Sequence, residues 1–340
     1  MASQAKPRII LGLMTFAPDE NTGARLTDLQ DLKTALDIFQ RRGFTELDTA
    51  RSYGGGAQEG YTRRAGWKER GMTIATKVFP VPPGNHEPEV ITKHFETSLK
   101  ELGTDCVDDR SVPFAATLEA MNRLHQQGKF KQLGLSNFTS FEVAEIVMTC
   151  KYHNWVRPTI YQAVYNCMQR SIERELIPAL RRYGLDLVIY SPIVGGLLTG
   201  SVTNKDTVPT EGRFSKKFLG GAMRDKYFKD SNFEAVAELK RAGDKLGIST
   251  IEIALRWMIH HSKLKMAKDG GNDGIIIGIS KLDHLDQNLD YLEQGPLPED
   301  ILAALDRMYR IAKPDEAPYW LMDLEYTYDT LEVLFGAGAK

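Results

Sequence analysis

Thr45-Glu-Leu-Asp-Thr-Ala-Arg-Ser-Tyr-Gly-Gly-Gly56 is the stretch whose reading decides the fold. A short apolar run ends on an acid, Asp48, and the chain then turns through glycines with Tyr53 just ahead of them. This pattern is the carboxyl end of a β-strand entering a loop. Parallel βα architectures carry their chemistry at that end, because the loops are free to vary while the strands beneath hold them rigid. A second β-like run, Thr73-Ile-Ala-Thr-Lys77, closes on a lysine. A buried lysine beside a tyrosine lowers the phenol pKa from its usual value of about 10 and suits it to give up a proton near neutrality. Asp48, Tyr53 and Lys77 are therefore the candidate catalytic residues. Spacing alone leaves a second reading open, in which acid and lysine pair only for stability and the tyrosine covers a turn.

The alternation of strand and helix continues in both directions. Residues 8–13 form a compact apolar run, and 29–41 carry Leu32, Ala35, Leu36 and Phe39 at helical spacing behind Thr27 as a cap. Helices are expected over about 58–67, 87–102, 114–127, 140–153, 172–183, 233–246, 251–261, 285–292 and 299–311, with strands at 45–48, 73–77, 130–136, 159–162, 185–190 and 274–278. Residues 191–230 are a long Gly-, Lys- and Thr-rich connection without periodicity, and connections of that length usually have a task. Seven strands joined through helices, with no break in composition, predict a parallel sheet. A length of 340 residues favours an α/β fold closed as a (β/α)8 TIM barrel. We expect one barrel domain over 1–340, with a core at about 7–319 and a tail at 320–340. No G-x-G-x-x-G follows any strand, which weighs against the open dinucleotide-binding sheet.

Composition narrows the function by exclusion. Apolar residues at 42% and charged residues at 26% are ordinary for a globular chain with a sizeable core. A formal charge of −2 gives no general attraction to nucleic acid or to an anionic membrane, so any phosphate site must be local. The three cysteines, Cys106, Cys150 and Cys167, lack metal-like spacing, so free thiols in a reducing compartment are expected and no metal site is. Residues 1–8 lack the apolar run of a signal peptide, and no apolar stretch approaches the roughly 20 residues of a membrane span. A cytoplasmic location is the expectation.

Further motifs line up along the chain: L-D-T-A-x-x-Y at 47–53, T-K at 76–77, G-K-F-x-x-L-G-L-S-N-F at 128–138 and P-T-x-Y-Q-x-x-Y-N at 158–166. G-G-L-L-T-G at 195–200, G-R-F at 212–214, L-R-W-M-x-H-H-S at 255–262 and L-D-Q-N-L at 285–289 follow. With these in place the chain resembles the aldo-keto reductases, most closely the aflatoxin aldehyde reductase-like branch, over about 7 to 319. The resemblance implies an NADPH-dependent oxidoreductase that reduces a small-molecule carbonyl substrate, an aldehyde or activated ketone, to the alcohol. It implies that Tyr53 is the proton donor, tuned by Lys77 and Asp48. Ser136, Asn137 and Gln162 would hydrogen-bond the nicotinamide carboxamide, a neutral group that needs paired donors and acceptors. Tyr190 would lie beneath the nicotinamide ring. Residues 191–201, with Ser191, Gly195, Gly196, Leu197 and Gly200, would fold over the pyrophosphate. Arg213, Ser280, Lys281, Gln287 and Asn288 would grip the adenosine and its 2′-phosphate, which favours NADPH over NADH. Relatives form dimers, so a homodimer is the oligomer suggested.

One departure stands out. Between the helix ending near Leu102 and the segment Arg110-Ser-Val-Pro-Phe114, the resembling proteins carry a strand of the form V-D-aromatic-Leu-His, and this chain is too short there to hold it. The fourth strand is expected to be truncated or missing, and the family histidine with it. None of the seven histidines stands at a strand end from which it could substitute. Two alternatives to an active reductase follow: a catalytically impaired NADPH-binding or regulatory protein of the same fold, or a defective gene product.

Overall fold

The computed structural model describes residues 6–78, 86–101, 112–217, 220–321 and 323–339. Seven strands are present among them: β1 Arg8–Gly12, β2 Glu46–Asp48, β3 Thr73–Ala75, β4 Gly134–Ser136, β5 Ile160–Val164, β6 Asp186–Tyr190 and β7 Gly274–Ile277. All pair in parallel, in the order β3-β2-β1-β7-β6-β5-β4. The helices are α1 Leu29–Arg41, α2 Gln58–Arg64, α3 Pro88–Glu101, α4 Phe114–Gln126, α5 Ser140–His153, α6 Leu176–Tyr183, α7 Gly220–Tyr227, α8 Asp230–Leu246, α9 Thr250–His260, α10 Asp283–Glu293, α11 Glu299–Ala312 and α12 Thr330–Phe335. This is an α/β fold of the (β/α)8 kind, with the sheet curled and the helices outside it.

The sheet has two cores because a parallel strand buries both faces. The outer one lies between strands and helices and runs from Ile9 to Tyr319. The inner one is small: Ile10, Val188 and Ile276, with Ile160 and Tyr190 packed against them. Pairing explains the division. Ile10 stands opposite Ile276, so both point into the lumen, and Gly12, two residues on, points the same way. A Cβ on Gly12 would lie 2.9 Å from Ile276 Cγ2, so the lumen has no room for a larger residue there.

Local chemistry sets the boundaries. In α1, Leu32, Ala35, Leu36 and Phe39 are all buried, as their spacing predicts. Its cap, however, is Asp28, whose carboxylate accepts from Gln30 N at 2.8 Å. The expected cap, Thr27, has another task, since its carbonyl accepts from the Tyr61 hydroxyl at 2.7 Å. The expected helix over 58–67 stops at Arg64, because Gly66 turns the chain at φ +76°. The connection at 191–230 contains a 3-10 segment, Val194–Thr199, and α7.

Among the described residues β3 and β4 each pair with one neighbour only, and they stand at the two ends of the strand order. In β3, Thr73 and Ala75 are exposed, whereas every residue of β7 is buried. The expected truncation of the fourth strand falls on residues 102–111, outside the described residues. No described helix is long and apolar enough to cross a membrane.

Candidate active site

Register brings the predicted residues to one end of the lumen. Asp48 pairs with Gly12 on β1 and with Ala75 on β3, and so shares the inward face of Gly12. Ser136 pairs with Gln162, which pairs with Val188, a residue of the inner core. Asp48, Ser136, Gln162 and Tyr190 therefore stand on the inward face at or near the carboxyl ends of β2, β4, β5 and β6, above the apolar floor. The backbone fixes the corner after β2: Leu13 N donates to Asp48 O, Thr49 N to Ala75 O and Arg51 N to Lys77 O, at 2.8–2.9 Å.

Asp48 is nearly buried, with 5% of its side chain exposed. The Lys77 ammonium donates to both its carboxylate oxygens at 2.7 Å and to the Thr49 carbonyl at 2.6 Å. From across the lumen, Gln162 Nε2 donates to Asp48 Oδ2 at 2.8 Å. A carboxylate can only accept, so this bond fixes the amide orientation and turns Gln162 Oε1 away as an acceptor. The Lys77 Nζ also stands 5.5 Å from the centroid of the Tyr53 ring. Asp48 thus holds the lysine, and the lysine acts on the tyrosine through its charge.

Tyr53 opens a short 3-10 turn, Tyr53–Gly56, in which Gly54 and Gly55 take φ values of +59° and +62°. A Cβ on Gly54 would lie 2.5 Å from Ala17 Cβ, so both space and backbone require glycine there. The phenol pKa is raised above its ordinary 10.0: burial lifts it most, Lys77 and Arg213 pull it down, and Asp48 lifts it. The expected lowering by lysine is present but outweighed by burial, which corrects the sequence-based expectation of a depressed phenol.

Beneath this pair lies a second polar network. Glu59, fully buried, accepts from Thr76 Oγ1 at 2.7 Å and pairs with Arg51, which also binds Glu101 and the carbonyl of Gly56. Gln58 binds both Thr49 and Thr62. Sequence reasoning passed over these residues, although the alternation of acid, arginine and threonine around L-D-T-A is their only trace.

The corners after β4 and β6 leave the same end of the sheet. Asn137 has φ +63°, Ser191 +57° and Val194 +55°, so three of the four non-glycine residues with positive φ among those described border the candidate cofactor site. Left-handed backbone is costly for such residues, most of all for β-branched valine, and its clustering is typical of sites that hold a ligand. Gly195 and Gly196 continue the turn at +64° and +100°; a Cβ on Gly196 would meet nothing within 4 Å, leaving an open backbone face. Leu197 is buried and Gly200 ends the segment at φ +69°. Asn166, fully buried, anchors the loop by donating to Ser191 O at 3.1 Å.

Arg213 and Lys281 are not brought together by any described contact. Arg213 contacts Met14 Sδ, just past β1, and its charge acts on Tyr53. Burial, aided by nearby Arg25 and opposed by Tyr53, holds its pKa below the ordinary guanidinium value. Met14 and Arg25 were not singled out in the sequence. Lys281 is exposed before α10, where Ser280 Oγ faces His284 Nδ1 at 3.4 Å, Gln287 donates to the Tyr291 hydroxyl and Asn288 is buried. Five other histidine contacts belong to the outer layer: His125 lies against Phe130, His153 on Trp155, His260 binds Gln294 O, His261 accepts from Leu297 N, and His86 lines an apolar cavity beside α4. No group of three potential metal ligands occurs among the described residues.

A lysine–carboxylate pair thus stands beside a half-buried tyrosine at the carboxyl mouth of a parallel barrel. Comparison with known proteins supplies the class. The Aldo/keto reductase family matches residues 8–310, and the chain belongs to that family of oxidoreductases. An aldo-keto reductase of Pseudocercospora fijiensis is 38% identical over 84% of this chain and 99% of its own length. Human aflatoxin B1 aldehyde reductase member 2 is 38% identical over 92% of this chain and 89% of its own. Human aflatoxin B1 aldehyde reductase member 4 is 37% identical over 91% and 96%.

Proposed function

We propose that the protein reduces aldehydes or activated ketones to alcohols with NADPH, and that Tyr53 is the proton donor. The observation that carries this reading is the Asp48–Lys77 pair, bridged from β5 by Gln162 and set against the Tyr53 ring. Burial keeps the phenol protonated through the neutral range, as a donor must be, while Lys77 and Arg213 favour the phenolate left behind. Asp48 fixes the lysine so that this stabilisation is in place before the proton moves.

The residues around the mouth fit a nicotinamide cofactor. Gln162 has Oε1 turned from Asp48 and Asn137 lies on a left-handed corner beside Ser136, a donor and acceptor set suited to a carboxamide. The open backbone face at Gly196, in a left-handed turn with Val194 and Gly195, would let phosphate oxygens approach. When bound, the cofactor supplies hydride; Tyr190 would support its ring, and Lys281 with Ser280 would hold the 2′-phosphate. Two free, buried thiols, Cys150 and Cys167, suit a reducing compartment, and we place the reaction in the cytoplasm.

The non-catalytic alternative is not favoured, because these relatives are named as reductases. The test is aldehyde-dependent oxidation of NADPH measured beside NADPH binding. Turnover supports the proposal, binding without turnover selects the non-catalytic reading, and absence of binding removes both.

A further inference from the structure

We propose that Tyr319 and Tyr326, from the C-terminal part of the chain, form a strap that positions the β4–α5 corner, and are positioning residues for the nicotinamide end of the cofactor. The inference rests on the reading above, that Ser136 and Asn137 hold the nicotinamide carboxamide.

β4 is three residues long and pairs only with β5 among the described residues, so its ladder steadies it from one side. The chain then passes through the left-handed Asn137 and enters α5 through a capping box, in which Glu142 accepts from Thr139 N at 2.7 Å and from Thr139 Oγ1 at 2.9 Å. Three phenols fasten this corner. Tyr161, from β5, donates to Phe138 O at 2.5 Å. The Tyr319 hydroxyl accepts from Ser140 N at 3.1 Å and donates to Glu175 Oε1 at 2.9 Å. The Tyr326 hydroxyl donates to the other oxygen of Glu142, Oε1, at 2.7 Å. Glu142 is fully buried, so a donor to it contributes more than one in water would. Aromatic packing continues the strap: Tyr326 lies edge-on to Phe114 at 6.3 Å, and Phe114 edge-on to Phe138 at 5.4 Å. Two of the three phenols thus come from the far end of the chain, and they act on Ser140 and Glu142, at the start of the helix that follows Ser136 and Asn137.

Binding of NADPH is compared with binding of 2′-phospho-ADP-ribose, which lacks the nicotinamide, together with thermal unfolding. Tyr326→Phe keeps the ring on Phe114 and removes one hydroxyl. Because a hydrogen bond to a charged group is lost, NADPH should bind roughly tenfold more weakly. The fragment should bind as before, and Tyr319→Phe should show the same split. Tyr152→Phe, at an exposed position on α5, should change neither ligand. Equal weakening of both ligands would mean general loosening and overturn the strap. So would unchanged NADPH binding in Tyr326→Phe while Ser136→Ala still separates the two ligands. If Ser136→Ala itself fails to separate them, the nicotinamide assignment is what fails, and the strap falls with it.

Discussion

Lys77 links structure to chemistry at the scale of single residues. Its ammonium neutralises a nearly buried carboxylate, and breaking such a pair from one side costs about 3–5 kcal/mol. Lys77→Met should therefore lower the melting temperature and reduce turnover by roughly 10² to 10⁴. The lysine pulls the phenol pKa down, so without it the high-pH limb of the turnover profile should move upward. A limb that stays in place would detach Lys77 from Tyr53. Arg213 and Lys281 should separate in the same way. Lys281→Ala should weaken NADPH far more than NADH. Arg213→Ala, being beside Tyr53, should affect both cofactors alike; titrations with each cofactor decide, and a selective loss of NADPH from Arg213→Ala would return it to the 2′-phosphate. Asp48, Tyr53 and Lys77 were legible because strand ends and glycines mark their positions. The bond from Gln162 to Asp48 was not, because it spans the lumen between strands far apart in sequence.

At the scale of elements, the turn after β2 is the most constrained piece of the site. Gly54→Ala adds a Cβ 2.5 Å from that of Ala17 at φ +59°, and left-handed backbone alone costs roughly 1–2 kcal/mol. We expect a lower melting temperature and a fall in kcat larger than any change in KM, since Tyr53 adjoins the displaced residue. Steady-state kinetics that match the wild type would show that the turn does not hold the phenol. Helices with regular apolar spacing, such as α1 and α11, were readable. α7 was not, because Gly220-Gly-Ala-Met-Arg-Asp-Lys-Tyr227 has little apolar periodicity and owes its place to contacts such as Tyr227 with Gln169. Strands other than β5, which runs on to Val164, came out shorter than their apolar runs, as at Phe130–Ser136, where only Gly134–Ser136 pairs. An apolar run records burial, whereas pairing also needs a neighbour in register.

At the scale of the whole molecule, weak acids that the fold keeps protonated set its response to alkaline pH. Burial pushes Cys150 up to about 11 and Cys167 and Tyr309 up to about 12, from ordinary values of 9.0, 9.0 and 10.0. At pH 8 and below all three are largely protonated in folded and unfolded chains alike, so they add little pH dependence. Above it the unfolded chain releases protons that the folded one retains, and stability falls as pH rises. Thermal melts should be nearly flat from neutrality to about pH 8 and decline above it, at up to about 1.4 kcal/mol per pH unit for each such group. A melting temperature that rises over that range would contradict the raised pKa values of these groups. The parallel barrel could be read from the strand–helix alternation, and its family from motifs spread along the chain. The division into an apolar lumen floor and a polar mouth could not, since it depends on which strands stand opposite each other. The central claim, that Tyr53 protonates the carbonyl oxygen, is tested most directly by turnover of Tyr53→Phe with an aldehyde, with NADPH affinity measured on the same preparation. The account predicts turnover lost and affinity within a few-fold of wild type; unchanged turnover would contradict it.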